Sequence, residues 1–408
     1  MAEFIALPVG QGDAFYLDRG DYTILVDGGK SRSKFPGMFH RVTDKDSVDI
    51  LVCTHNDSDH VNGVLGFLKS KLNCKELWLP GRWLEVLPDL LVPLPDFVNR
   101  VGSEIINDRK IGRPDEHSRY PSSVEEFARR FEANTQATEE TLRRDAEDEL
   151  HILNTAEKGW PASIIRDLEN AEHWDTPPWA WPSQIRYEWL GGYYYHCPAS
   201  ALTLTLSVIH AATRIREAAI LAFRKGVTVR WFKHDPITPR GGIPGVLEPA
   251  NARELLTMRQ RKASLVEYIS LSVANRESLV FWAPPTDEMP GVLFNADSDL
   301  AEVNLNFSTQ NSLATAPHHG SEANARAYEV VEFYATPGRG DSITWIRSDG
   351  RYPERPGNSY LTKTSTRFCT LCRFGKYYSP NPKQTVRLFA FKGRWFNHMD
   401  CSPCTCWP

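Results

Sequence analysis

The stretch Thr54-His55-Asn56-Asp57-Ser58-Asp59-His60 constrains the fold more than any other part of the chain. Val48-Asp49-Ile50-Leu51-Val52-Cys53, just before it, is an apolar run that predicts a buried strand. Val61-Asn62-Gly63-Val64-Leu65-Gly66-Phe67-Leu68, just after it, predicts a helix whose early glycines permit close backbone packing. Two histidines and two aspartates therefore share one strand-to-helix loop. Imidazole with carboxylate suits zinc, manganese or iron in a partly open catalytic site. A loop that had only to cap a helix would need a single Asp or Asn. Two of each at this spacing predict His55, Asp57, Asp59 and His60 as metal ligands.

Composition narrows the class. With 41% hydrophobic and 24% charged residues over 408 positions, the chain reads as a soluble globular protein with a sizeable core. The net charge of −4, from 47 basic and 51 acidic residues, sets up no global field toward nucleic acid or membrane. A polyanion would have to be held by a local patch. There is no apolar run of membrane-spanning length, and Met1-Ala2-Glu3-Phe4 does not open a leader, so a cytoplasmic protein without a membrane partner is expected.

Further strands are predicted over 4–9, 14–17, 23–26 and 77–80, with a tight turn at Gly10-Gln11-Gly12-Asp13. A loop rich in Pro and Leu follows. Ser123-Val124-Glu125-Glu126 fits a capping box, and helices are predicted from there to about Ala156. Trp174, Trp179, Trp181 and Trp189, broken by prolines, lead into Tyr193-Tyr194-Tyr195 and read as packing aromatics. Leu202 to His210 alternates Leu with Thr and predicts a strand, before a helix Ala211–Lys225 capped by Gly226 and a strand over 227–232. Strands are also predicted over 268–273, 278–282, 292–296 and 343–346. Asp297, with Asp299 as a nearby alternative, and the adjacent pair His318-His319 add candidate ligands. One imidazole of that pair can bind metal while its neighbour contacts substrate or an orienting acid.

The end of the chain is rich in cysteine. Cys369-x-x-Cys372 and Cys401-x-x-Cys404, with Cys406 beyond, hold five of the eight cysteines. Two such pairs predict a structural four-cysteine zinc site, with Cys406 or His398 as substitute ligands. A strand over 385–391 would join the knuckles.

The motif His55-x-Asp57-x-Asp59-His60 resembles the signature of the metallo-β-lactamase superfamily, with Asp57 in place of the usual second His. The opening Val9-Gly10-Gln11-Gly12-Asp13, then Leu25-Val26-Asp27-Gly28-Gly29, the segment Leu293-Phe294-Asn295-Ala296-Asp297 and Pro317-His318-His319-Gly320-Ser321 resemble the ComEC-type hydrolases of that superfamily. The resemblance implies an αββα sandwich whose halves lie at 1–84 and 196–365, a helical and aromatic insertion at 85–195, and a Cys-rich tail at 366–408. It implies one or two divalent ions, zinc or manganese, held by His55, Asp57, Asp59, His60, Asp297 and His318. Asp59 and His319 would be catalytic, and Asp13 and Asp27 would orient ligands. The pattern is broken in four places. Ala296 stands for a Gly, Asn275 where a third His is common, and His210 lacks the Pro of Leu-His-Pro. After Asn358-Ser359-Tyr360 the family's Gly-His-Pro is missing, and Arg355 and Lys363 are the candidates to stabilise anionic charge instead.

A metal-dependent hydrolase is expected, most closely a phosphodiesterase or nuclease acting on nucleic acid or a nucleotide. A lactone, thioester or amide hydrolase is the second expectation. The third is a metal-binding scaffold acting with a protein partner from the same locus in bacterial defence.

Overall fold

In the computed structural model the described residues are 2–93, 96–97, 100, 155–171, 199–256, 268, 271, 277–335, 343–350, 352, 355–372 and 384–406, with 155–157 and 199–205 described by backbone alone. They fall into two compact units: Met1–Gly81 with Leu221–Leu255 and Asn275–Pro408, and Arg82–Ile220 with Leu256–Ala274.

The first unit opens with β1 (Glu3–Ala6), β2 (Phe15–Asp18) and β3 (Thr23–Val26), an antiparallel meander. Helix α1 (Phe35–Thr43) leads to β4 (Ser47–Val52), and helix α2 (Ser58–Lys69) leads to β5 (Asn73–Pro80); β3, β4 and β5 pair in parallel. A ribbon of β6 (Thr155–Glu157) and β7 (Trp160–Pro161) belongs to the second unit. The first unit resumes with β8 (Thr228–His234), β9 (Glu248–Pro249), β10 (Ala252–Glu254), β11 (Phe281–Ala283) and β12 (Val292–Phe294). It closes with β13 (Leu313–Thr315), β14 (Thr344–Arg347), β15 (Arg367–Cys369), β16 (Val386–Phe391) and β17 (Arg394–Asn397).

Two sheets result. One has nine strands in the order β10-β8-β5-β4-β3-β2-β1-β16-β17, the other six in the order β15-β14-β13-β12-β11-β9. Their inner faces share one core, in which Phe4, Phe15, Val26, Val52 and Trp78 meet Phe281, Phe294, Leu313 and Ile346. Each fully buried side chain of this kind contributes about 1.5–3 kcal/mol. The alternate residues of the same strands face outward and are buried too. Tyr16 packs edge-on against Phe39 of α1, and Phe39 against Phe67 of α2. On the far side Trp345 of β14 meets Tyr328 of the helix Ala325–Phe333. Helices therefore cover both sheets, which is the expected αββα sandwich. Burial on both faces also explains why these strands read as continuous apolar runs.

Some expectations change. The segment 366–408 carries the cysteine cluster and also joins the sheets, supplying β15 to one and β16 and β17 to the other. The β16 strand pairs with β1 and β17, and Gln384 just before it donates to Cys369 O at 2.8 Å and Ser402 O at 3.2 Å, which ties the two cysteine segments. Residues 202–210 are helical, inside one helix running Ala199–Lys225. The Leu-Thr alternation gives way to Val208, Ala211, Ala212, Ile215, Ala218, Ala219 and Ala222, all buried at helical spacing, and that longer period sets the conformation. Tyr268 and Leu271, the residues described in 268–273, are helical as well.

The second unit has α3 (Gly81–Leu90) where a loop was expected, and a helix Ala162–Asn170 that buries Ile164 and Leu168. There Tyr268 donates to Asp89 at 2.7 Å and Arg100 reaches both at 2.9 and 3.0 Å. The helices predicted over 123–156 and the aromatic segment 174–195 lie outside the described residues, apart from the β6 backbone. Among the described residues no helix is long and apolar enough to cross a membrane.

Candidate metal centre

The His55 loop is fixed by backbone contacts that only small residues allow. A Cβ on Gly63 would lie 1.8 Å from Gly28 O, so α2 docks its first turn directly on the Asp27-Gly28-Gly29 loop. Gly28 N–H donates to His60 O at 3.1 Å and Gly63 N–H to Gly29 O at 2.8 Å. Gly12, at φ +90°, passes so near Asp59 that a Cβ would sit 1.6 Å from Asp59 O. The helix begins at Ser58, earlier than expected, which places Asp59 and His60 in its first turn.

Across from this loop, β12 delivers Asp297 and β13 delivers the histidine pair. Ala296, His318 and His319 all have left-handed backbone, with φ of 47°, 46° and 55°, and Asp27 joins them at 58°. Such conformations cost about 1–3 kcal/mol where the residue is not glycine, and they gather at functional sites. Here they turn three side chains toward one point, and Ala296 takes the turn for which the family uses Gly.

That point is Asp297. His60 Nε2 lies 3.1 Å and His319 Nε2 3.6 Å from Asp297 Oδ1. His55 Nε2 and His318 Nε2 each lie 3.5 Å from Asp297 Oδ2. Asp59 Oδ2 stands 3.6 Å from His319 Nε2, and Asp57 Oδ2 3.9 Å from His55 Nε2. All seven predicted ligand and catalytic residues thus converge. Two groups share the Asp297 carboxylate, His55 with Asp57 on one side and His60 with His319 and Asp13 on the other, and Asp59 stands beside His319.

The other ring nitrogen of each imidazole is engaged. His60 Nδ1 is 2.8 Å from Asp27 Oδ2. Thr54 Oγ1 donates to Asp27 Oδ2 at 2.7 Å and is 2.9 Å from His55 Nδ1, so His55 donates to Thr54. Asn324 Nδ2 donates to Asp297 O, which turns its Oδ1 toward His318 Nδ1 at 2.9 Å. His319 Nδ1 is 3.0 Å from Asp13 Oδ1; the contact falls outside straight hydrogen-bond geometry and acts as an ion pair. With protons held at Nδ1, four Nε2 lone pairs point inward.

This arrangement fits a cation. His60 Nε2 and His319 Nε2 face each other at 3.1 Å, two lone pairs that repel unless a proton or a metal lies with them. His55 Nε2 and Asp297 Oδ1 are buried with no hydrogen-bond partner. Burial alone would push the His60 imidazole down, but the Asp297 and Asp27 carboxylates hold it well above its ordinary value. Burial likewise opposes protonation of His319, yet Asp13 and Asp297 raise it to about 9. Asp297 is driven well below the usual carboxylate range, its burial outweighed by His60, His319, His318 and His55. Asp59 is lowered against its burial by His319 and His60. The centre is built to hold positive charge.

Several expectations are sharpened or corrected. His319, expected as catalytic, is fully buried within the ligand cluster, whereas His318, expected as a ligand, is 26% exposed and touches Asp297 alone in that set. Asp13 and Asp27 do orient histidines. Asp299 instead accepts from Ala301 N–H within its own turn. Lys363 is held by Glu332 at 2.9 Å. Arg355, in contrast, lies at the centre, 3.7 Å from Asp59 Oδ2. His210 sits within the helix Ala199–Lys225, and Asn275 lies outside the described residues. Thr54, Asn324, Arg347, Ser348 and Asp349 were not anticipated. Arg347, fully buried, donates to His319 O at 2.5 Å and to Asp349. An arginine ending an apolar strand was the available signal.

The cysteines form a second cluster. The sulfurs of Cys369, Cys372, Cys404 and Cys406 lie within 4.8 Å of one another, with contacts of 3.8, 3.9 and 3.4 Å. Tetrahedral zinc with bonds of about 2.3 Å has sulfur-sulfur edges of about 3.8 Å. Cys406 takes the place expected for Cys401, which is buried in the inter-sheet core. His398 pairs with Asp400 and stays exposed.

Residues 7–132 match the family model of the Metallo-beta-lactamase superfamily. No curated protein matches the chain. The matched segment contains Asp13, Asp27 and the His55–His60 loop, and the fold carries Asp297 and the histidine pair to the same place. The match and the buried cluster together support a metal-dependent hydrolase.

Proposed function

We propose that the protein is a metal-dependent phosphodiesterase whose substrates are nucleic acids or nucleotides. The observation that carries the reading is the shared carboxylate of Asp297, with one orphaned oxygen facing His60 and His319 and the other facing His55 and His318. Divalent ions bound there would lower the pKa of water and polarise a phosphoryl oxygen. His55, Asp57 and Asp297 would hold one ion; Asp59, His60, Asp297 and His319 would hold the other.

The chain's own groups supply the rest. Asp59 remains a carboxylate in this field and orients the attacking water. Asp27 and Thr54 keep His60 and His55 in the tautomer that presents Nε2. His318, the more exposed imidazole, faces incoming substrate and, once its Nε2 has taken the proton released by the attacking water, can hand that proton to the leaving oxygen. The ComEC-type resemblance and the cation at Arg355 favour an anionic phosphodiester over a neutral ester.

Hydrolysis of bis(4-nitrophenyl) phosphate by purified protein, with manganese or zinc added, tests the reading. Metal-dependent turnover that disappears in Asp59→Ala is the expected result. Turnover of a lactone or thioester but of no phosphodiester would overturn it.

A further inference from the structure

Among the described residues, the cations on β14, β15 and the chain between them include three that are engaged by hydrogen bonds. Arg347 donates to the carbonyls of His319, Asp349 and Gly350. Lys363 donates to Glu332 and Arg367 to Tyr360 O. Arg355 differs. Its backbone is clamped, because Arg355 and Tyr352 exchange N–H to carbonyl bonds of 3.1 and 2.9 Å. Its guanidinium lies over the Tyr352 ring at 5.0 Å. The head stands 3.7 Å from Asp59 Oδ2 and 3.5 Å from Asp349 Oδ2, yet it makes no side-chain hydrogen bond among the described residues. The side chain is 15% exposed, so it is held in place and still open to a ligand.

A fixed guanidinium with its donors free is shaped for an anion. Its planar fork matches two oxygens of a phosphate or carboxylate, which a lysine cannot do. The two carboxylates keep it beside the centre by charge without occupying its N–H groups. We propose that Arg355 holds the anionic group of the substrate, through guanidinium donors left free beside Asp59. The identity of that anion as a phosphodiester rests on the phosphodiesterase reading; the binding of an anion by Arg355 does not.

The test compares wild type with Arg355→Gln and Arg355→Lys, using three measurements on the full chain. Metal content is determined first. Inorganic phosphate affinity is then measured by calorimetry, and bis(4-nitrophenyl) phosphate hydrolysis is followed for kcat and KM. Arg355→Gln is expected to keep its metal and to lose roughly 30-fold in phosphate affinity and in kcat/KM, the size of one charge-assisted hydrogen bond. Arg355→Lys should recover part of that loss, since it restores charge without the fork. If Arg355→Gln hydrolyses the diester and binds phosphate within threefold of an active wild type, the role of Arg355 is overturned and the phosphodiesterase stands. If no diester is hydrolysed by wild type but phosphate binding still falls in Arg355→Gln, the anion site stands and the phosphodiesterase fails. Loss of metal in the variant, or no phosphate binding by wild type, overturns the proposal, because Arg355 would then serve Asp59 or nothing at the site.

Discussion

Two ligand clusters lie in one unit of this protein, and they are built on opposite principles. The His/Asp cluster draws on three separate loops, mixes imidazole with carboxylate and leaves buried lone pairs without partners. Each of its histidines is aimed by a hydrogen bond or ion pair from outside: Asp27, Thr54, Asn324 or Asp13. The cysteine cluster draws on two short stretches, uses four sulfurs and closes on itself. Its nearest support is the Thr405 N–H, which donates to Cys372 Sγ at 3.2 Å. Four sulfurs satisfy zinc completely and make a staple. Mixed ligands oriented from outside leave room for substrate, and that is the plan of a working centre. Removing ligands from the two clusters should therefore do different damage.

The largest effect is expected in the staple. Structural zinc in small zinc domains contributes about 10–16 kcal/mol, so removing one sulfur should cost several kcal/mol. Cys372→Ser should lose its zinc and lower Tm by roughly 10 °C, at about 2–4 °C per kcal/mol for a unit of this size. Cys401→Ser should keep the zinc. Equal zinc content in wild type and Cys372→Ser would remove the staple from the comparison.

Asp297→Asn should do the reverse. It removes the charge shared by both half-sites and should cut hydrolysis by more than the roughly 10–100-fold typical of an orienting partner. Asp297 is held as a carboxylate by four imidazoles and contributes stability above its lowered pKa, so at neutral pH the amide should also lower Tm by a few degrees when both proteins are measured without active-site metal. A collapse of Tm would make Asp297 structural.

Where the sequence was legible, and where not, follows the same division. The ligands His55 to His60 fall within six consecutive positions, and local spacing displays them. Asp297 and the histidine pair end strands, and strand ends can be read from apolar runs. The roles of His318 and His319 depend on left-handed backbone at both residues, which no periodicity displays. The choice of Cys406 over Cys401 has the same origin. Cys401 falls into the core beneath the sheet, while Cys404 and Cys406, two apart in a non-helical segment, both reach the cluster. The role of Arg347 was not displayed because its partner His319 becomes a neighbour only after β13 and β14 pair.

Orienting partners give the intermediate effect. Asp27→Asn keeps shape but weakens the acceptor that holds His60 Nδ1 and Thr54, so metal affinity should fall about 10–100-fold. Titration with zinc under a competing chelator measures this. An unchanged affinity would mean the imidazole orients itself.

Metal affinity should also rise with pH. His319 holds a proton up to about 9 without metal, and His60 is raised as well, because buried carboxylates surround both. A metal takes only the neutral imidazole, so below those values it must displace protons, and affinity should fall about 10-fold per pH unit for each proton displaced. The dependence should flatten above about 9. Proton release on metal loading near pH 7.5, read by calorimetry in buffers of different ionisation enthalpy, checks the sign. No release would mean that the facing imidazoles are already neutral.

The smallest effect tests whether the two clusters are independent at all. Thr370, buried between Cys369 and Cys372, donates its hydroxyl to Ser348 O at 2.8 Å and its N–H to Arg347 O at 3.1 Å. Ser348 in turn donates to Asp13 Oδ1 at 3.1 Å, and Arg347 holds His319 O. A line of contacts thus runs from the cysteine knuckle to the backbone carbonyl of His319 and, through Asp13, to its imidazole. Thr370→Val keeps the shape and removes only the hydroxyl bond, about 1 kcal/mol. Tm should fall by about 2–4 °C. If the line transmits position, metal affinity at the His/Asp centre should also weaken a few-fold while the zinc in the cysteine cluster stays at one equivalent. A lower Tm with unchanged affinity at that centre would show that the staple holds the sheet edge and does nothing for His319.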